Sequence, residues 1–171
     1  MTPFIAEFLG TMLLILMGAG VVANVSLAKT KGNGAGWMAI TTAWALGVFI
    51  GVVVAGPYSG AHLNPAVTIG LAIGGSFAVD QMLPYIVAQL LGAAVGATLV
   101  WLVYKDHFDA TADADTKLGV FCTGPAIPNK GLNFLSEVVG TFALMFVVFY
   151  ITDGELTYGS NSTIPIGLGS V

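Results

Sequence analysis

The sequence predicts an all-α, polytopic transmembrane helix bundle, arranged as an inverted repeat with a re-entrant half-helix in the first repeat and an incomplete second repeat. Three observations predict it. Of 171 residues, 56% are hydrophobic and 8% charged, against roughly 25% charged in an average soluble domain. The uncharged runs are Phe8 to Ala28, Gly32 to Val79, Gln81 to Tyr104, Val138 to Thr152 and Leu156 to Val171. Three of them can hold at least one span each, at about 20 apolar residues per crossing. Finally, Ala6-Glu7-Phe8-Leu9-Gly10-Thr11 returns 130 positions later as Ser136-Glu137-Val138-Val139-Gly140-Thr141. Three spans separate the copies, so they enter the bilayer from opposite faces, the mark of an inverted-topology repeat.

Composition excludes other classes. Net charge is −4, the five basic residues are Lys29, Lys31, Lys105, Lys117 and Lys130, and no Arg is present to build a phosphate-binding surface, so nucleic acid is no partner. Cys122 is the single cysteine. It can form no intrachain disulfide and has no Cys or His neighbour at metal-ligand spacing, so neither a metal nor a cofactor is expected. Met1-Thr2-Pro3 lacks a basic n-region and Glu7 interrupts the apolar run, so the N-terminus reads as mature protein rather than a secretory signal.

Spans are expected at about 4 to 26, 37 to 55, 81 to 104 and 133 to 152, with a fifth helix beginning near Thr163. The run from Gly32 to Val79 is too long for one span, and no polar stretch divides it into two. Its break is Gly56-Pro57-Tyr58-Ser59-Gly60, dense in helix-ending residues. Asn64-Pro65 then supplies an N-cap and a first-turn proline. A helix from Pro65 to Gly75 spans ~16 Å, about half a membrane, and reads as re-entrant; an interfacial helix after a turn is the alternative. Irregular backbone at membrane depth survives only inside protein or beside a wet cavity, so Gly56 to Asn64 marks a pore or substrate site. Ala43, Gly47, Gly51 and Ala55 on the second span, and Ala88, Gly92 and Gly96 on the third, are small-xxx-small stripes of a tightly packed bundle.

A repeat offset of 130 carries Asn64-Pro65-Ala66 to about position 194. The sequence thus reads as the front of a longer protein, with residues 1–132 as the first repeat and 133–171 as the start of the second. By that reading the 171 residues alone do not enclose a selective pore. Glu7 and Glu137 each lie within a span, where an unbonded carboxylate costs several kcal/mol. Glu7 either reaches interfacial water or accepts backbone N–H groups of the loop before Asn64. By the repeat, Glu137 braces the equivalent second loop and is expected under-satisfied here.

With Ser59-Gly60-Ala61-His62-Leu63-Asn64-Pro65-Ala66-Val67-Thr68 and the repeated Glu-x-x-Gly-Thr in view, the chain from about Phe4 to its last residue resembles the major intrinsic protein family of aquaporins and glycerol facilitators. The resemblance implies an aquaporin-like fold. It also implies a passive channel for glycerol and small neutral solutes with water, working as a homotetramer in the plasma membrane with a cytoplasmic N-terminus. No chemistry is catalysed. Trp44, 20 residues before Asn64, is similar to the aromatic that narrows the filter of glycerol-conducting members. Tyr104 is similar to an aromatic of that branch, and the long connection from Lys105 to Leu132 resembles its larger third loop.

The implied pore wall comprises carbonyls of Gly60, Ala61, His62 and Leu63 as acceptors and the Asn64 amide as donor, with Pro65 and Ala66 opening the half-helix. The helix dipole there opposes cations. The His62 side chain is expected to brace the loop. A water-selective aquaporin, a coupled transporter and a non-conducting truncated membrane subunit are the competing readings. The second Asn-Pro-Ala and the family's filter Arg lie past Val171. All five Lys fall in connections that the family places outside, against the positive-inside rule, and the motif outweighs that count. Asn24-Val25-Ser26 and Asn161-Ser162-Thr163 match glycosylation spacing only. Asp109, Asp113 and Asp115 lack an EF-hand's Gly and terminal Glu and read as a solvated loop.

Overall fold

A Thr-Pro pair starts the first helix. Thr2 accepts the Ile5 N–H at 3.4 Å and Pro3 takes the first helical position, where its missing N–H costs nothing. In the computed structural model, which describes residues 1–150, 155–158 and 162–165, this helix is α1 (Pro3–Ser26). There follow α2 (Trp37–Ser59), α3 (Pro65–Ile73), α4 (Val79–Val103), α5 (Lys105–Ala110), α6 (Ala114–Gly119) and α7 (Lys130–Tyr150). α1, α2, α4 and α7 are each long and apolar enough to cross a membrane. The bundle is all-helical but for an antiparallel hairpin of β1 (Glu155–Tyr158) and β2 (Ser162–Pro165).

Three boundaries differ from expectation. α2 does not break at Gly56-Pro57 but runs to Ser59. Pro57 forfeits the i→i−4 bond to Val53 O, but only Tyr58 and Ser59 of the helix lie beyond it, and Gly60, at φ +78°, closes the helix by donating its N–H to Gly56 O at 3.1 Å. α3 stops at Ile73, two residues short of Gly75, because Gly75 adopts φ +77° and a Schellman pair forms, Ser76 N–H to Leu71 O and Gly75 N–H to Ala72 O. Its nine residues span ~13.5 Å, less than half a bilayer. The fifth helix expected near Thr163 is not found at 162–165, where Thr163 pairs with Thr157 in the hairpin. Thr157-Tyr158 and Thr163-Ile164 are β-formers, and Gly159-Ser160-Asn161 between them is turn-like in sequence. The remainder of that expectation, residues 166–171, lies outside the described residues.

The connection from Lys105 to Leu132, whose Asp109, Asp113 and Asp115 stretch reads as a solvated loop, contains two short helices, α5 and α6. Asp109 pairs with Lys105 one turn away on α5, and Asp113 caps α6 by accepting the Thr116 hydroxyl and N–H, at 2.5 and 2.8 Å. Those two bonds hold the Asp113 carboxyl below the usual carboxylate range. The connection is tied to the first loop: Ala28 N–H donates to Thr111 Oγ1 at 2.9 Å, and His107 Nδ1 lies 3.0 Å from Ala28 O.

α1 is the central element, with α2 on one side and α4 on the other. The small-residue stripes explain how close they come. A methyl at Gly51 would lie 3.0 Å from Gly10 O, one at Gly96 2.6 Å from Met12 O, and one at Gly92 would run into the Phe8 carbonyl. Backbone meets backbone, leaving dispersion rather than water exclusion to hold the spans together. Gly92→Ala is therefore expected to destabilise the bundle by about 1–3 kcal/mol through overpacking, read as a lowered midpoint in denaturant unfolding from lipid-detergent micelles. An unchanged midpoint would mean that α4 yields freely. α7 rests on α3, with Met145 over Gly70 and Phe149 over Gly74; its other side chains are largely exposed.

Candidate functional site

The segment between α2 and α3 is short and strained. Besides Gly60, both Ala61 (φ +52°) and Leu63 (φ +53°) occupy the left-handed region, which costs a residue with a Cβ of order 1 kcal/mol or more. One carboxylate holds it there. Glu7 is fully buried in α1, and its Oε1 accepts from Ser59 Oγ at 2.6 Å and His62 N–H at 2.9 Å. Its Oε2 accepts from Leu63 N–H at 2.8 Å and Gln89 Nε2 at 2.8 Å. Four donors on two oxygens satisfy the carboxyl group and offset the cost of burying it. Ser59 Oγ in turn accepts the Ala61 N–H at 3.1 Å.

With the His62 and Leu63 N–H groups on Glu7, that of Ala61 on Ser59 Oγ and that of Gly60 on Gly56 O, the loop leaves its carbonyls free. Among the described residues nothing donates to the carbonyls of Gly60, Ala61, His62 or Leu63. Beside them Asn64 caps α3, its Oδ1 accepting the Ala66 N–H at 2.8 Å while Pro65 fills the first helical position. That bond assigns the amide: Nδ2 must face the other way, and among the described residues no acceptor takes its hydrogens. Four acceptors and a donor thus adjoin the positive end of a helix dipole.

α4 buttresses this arrangement from behind. Gln89 Nε2 reaches both Glu7 and Thr68 Oγ1, the latter at 2.9 Å, linking the carboxylate to the half-helix. Tyr85 donates to Ser59 O at 3.0 Å. The buried His62 ring sits between Phe77 and Tyr85, with centroids 4.6 and 4.9 Å away, and its Nδ1 lies 3.1 Å from Thr68 Oγ1.

Glu7 and Gly60 through Ala66 therefore form one cluster. The other residues singled out from sequence lie elsewhere. Trp44 projects from α2 onto α1, where its indole lies flat against Gly18. Tyr104 caps the C-terminus of α4, 19 residues beyond Tyr85 and so ~28 Å along the helix from the loop. There it packs against the Ala19, Ala23 and Leu27 cluster and lines an outward groove of about 440 Å³ with Leu16, Asn24 and Val100. Glu137 is exposed on α7, with no hydrogen-bond partner among the described residues. Sequence reasoning missed Gln89, Tyr85, Thr68 and Ser59. Gln89 carried a signal, since an amide at the centre of an apolar span must find partners inside the bundle.

A polytopic helical membrane protein with an Asn-capped half-helix and a carboxylate-clamped loop is the class that fold and site define. The family model described as "Major intrinsic protein" matches residues 1–171, and the chain belongs to that family. It is 53% identical over 161 residues to a probable glycerol uptake facilitator protein of Thermotoga maritima, covering 94% of this chain and 69% of that one. A glycerol uptake facilitator protein of Streptococcus pneumoniae is 45% identical over 173 residues, with 99% and 74% covered. Among solved structures, the aquaglyceroporin from Plasmodium falciparum superposes with a TM-score of 0.57 at 40% identity, over 63% of this chain and 43% of that one.

Proposed function

We propose that the protein is a passive transmembrane channel for glycerol and other small neutral solutes, with water, acting as a homotetramer in the plasma membrane with its N-terminus cytoplasmic. It catalyses no reaction. Residues 1–132 supply the first repeat of the channel and 133–171 open the second. The row of free carbonyls from Gly60 to Leu63 beside the Asn64 amide carries this reading, and the glycerol facilitators among its relatives support it.

Moving a hydroxyl from water into an apolar passage costs roughly 2–7 kcal/mol unless a partner replaces water. Glycerol has three hydroxyls on a short carbon chain, so it needs several acceptors in register, a donor for its oxygens and an apolar face for its carbons. The loop carbonyls accept and Asn64 Nδ2 donates, while Trp44, apart from that cluster, offers an apolar face at another level of the passage. A cation gains from the carbonyls but meets the helix dipole, and a proton finds no titrating relay along the carbonyl row.

Trp44 sets the width of the passage in this reading. In the complete protein, Trp44→Ala is expected to admit polyols larger than glycerol, read as an extended size cut-off in a liposome swelling assay. A cut-off unchanged from wild type would reduce Trp44 to packing on Gly18.

A further inference from the structure

Leu63 is held at both ends by the same turn of α1. Its N–H goes to Glu7 Oε2 at 2.8 Å, and its side chain, 6% exposed, is driven between α1 and α2. A Cβ built on Gly10 would lie 2.5 Å from Leu63 Cδ2, and one on Gly51 would lie 2.8 Å from Cδ1. One methyl therefore sits over each glycine. The floor is closed by Ala6 and Ala55, both fully buried, with Leu14 and Val52 beside them. Glu7 and Gly10 are three residues apart on one face of α1, so grip and seat are in register.

We infer that Gly10 and Gly51 form a socket for the Leu63 side chain, and that this socket positions the loop. With the side chain seated, Leu63 holds φ +53° and the backbone from Gly60 to Leu63 keeps its course beside Asn64. Gly10 and Gly51 are positioning residues acting through Leu63, which separates them from glycines that only let spans approach. Gly47 is the contrast: it meets Leu14 O and Met17 Cβ on α1, and nothing of the loop. The effect on conduction rests on the channel reading, whereas the effect on the loop does not.

The test is a pair of mutant cycles in proteoliposomes, reading amide hydrogen exchange at His62 and Leu63 together with glycerol permeability. Gly10→Ala should speed exchange at both amides by about tenfold and cut permeability. Adding Leu63→Ala, which removes the two methyls, should restore much of both, because the residues are coupled by contact; the Ala55 methyl, 2.9 Å from a Cβ on Gly10, accounts for the remainder. Gly51→Ala, which meets the other methyl, is the second probe should Gly10→Ala fail to insert. Gly47→Ala should show no rescue by Leu63→Ala. The socket is overturned if the double variant exchanges as fast as Gly10→Ala, or if Gly47→Ala is rescued equally. Vesicles in which the complete protein, second repeat included, conducts no glycerol would sink the channel reading, leaving the exchange rates to decide the socket. Exchange rescued without permeability would overturn the claim that the socket sets the passage.

Discussion

Glu7→Ala is expected to reduce glycerol flux to the lipid background while the spans still insert. The substitution strands three donors in a buried site, the His62 and Leu63 N–H groups and one hydrogen of the Gln89 amide, while the Ser59 hydroxyl falls back on Ala55 O. Each stranded donor costs roughly 1–3 kcal/mol, and the left-handed Ala61 and Leu63 add their strain once nothing holds them. The total is comparable with the ~5–15 kcal/mol that stabilises a whole domain. The loop, being short and local, gives way before the bundle does. Glu7→Gln should be nearly as damaging, because it leaves one acceptor oxygen and presents a new NH2 to donors. The measurements are stopped-flow glycerol permeability of proteoliposomes and circular dichroism of the same sample. Flux within twofold of wild type in either variant would mean that the carboxylate does not hold the loop.

Sequence exposes local signals and hides convergent ones. Asn64-Pro65 announces the start of α3 because an N-cap and a first-turn proline act within four residues. The end of α2 is misread at Gly56-Pro57 because a proline in the final turn breaks little. Glu7 stands out as a carboxylate in an apolar run, yet its partners come from Ser59, His62, Leu63 and Gln89, up to 82 positions away. No periodicity encodes that meeting. Of the socket's glycines, Gly10 is legible only within the repeated Glu-x-x-Gly-Thr and Gly51 only within a stripe, because the same spacing serves Gly47, which packs span on span, and Gly51, which also receives Leu63. Tyr104 is a different case. Its place in a family pattern says nothing of distance, and here it lies at the far end of α4 from the loop.

Asn64→Asp is expected to abolish neutral-solute conduction without unfolding the half-helix, and it separates the two tasks that Asn64 performs. The Oδ1 atom caps α3 through the Ala66 N–H at 2.8 Å. An aspartate keeps that bond and improves it, since a carboxylate at a helix N-terminus gains from the dipole. What it loses is the Nδ2 donor, the group left to hold a solute oxygen beside the four loop carbonyls. In its place it puts an acceptor among acceptors, so a hydroxyl passing from the Gly60 to Leu63 carbonyls meets no donor and bears its own desolvation, roughly 2–7 kcal/mol. On the scale of 1.4 kcal/mol per tenfold, even the lower end of that range slows glycerol by more than about tenfold. The added negative charge also offsets the positive end of the α3 dipole, so the barrier to cations falls while the barrier to glycerol rises. Asn64→Ala, by comparison, loses cap and donor together and costs about 0.5–2 kcal/mol of helix stability besides. Paired stopped-flow glycerol uptake and sodium leak in the same proteoliposomes read both effects. Glycerol flux retained in Asn64→Asp, or lost only in Asn64→Ala, would show that Asn64 serves the cap alone.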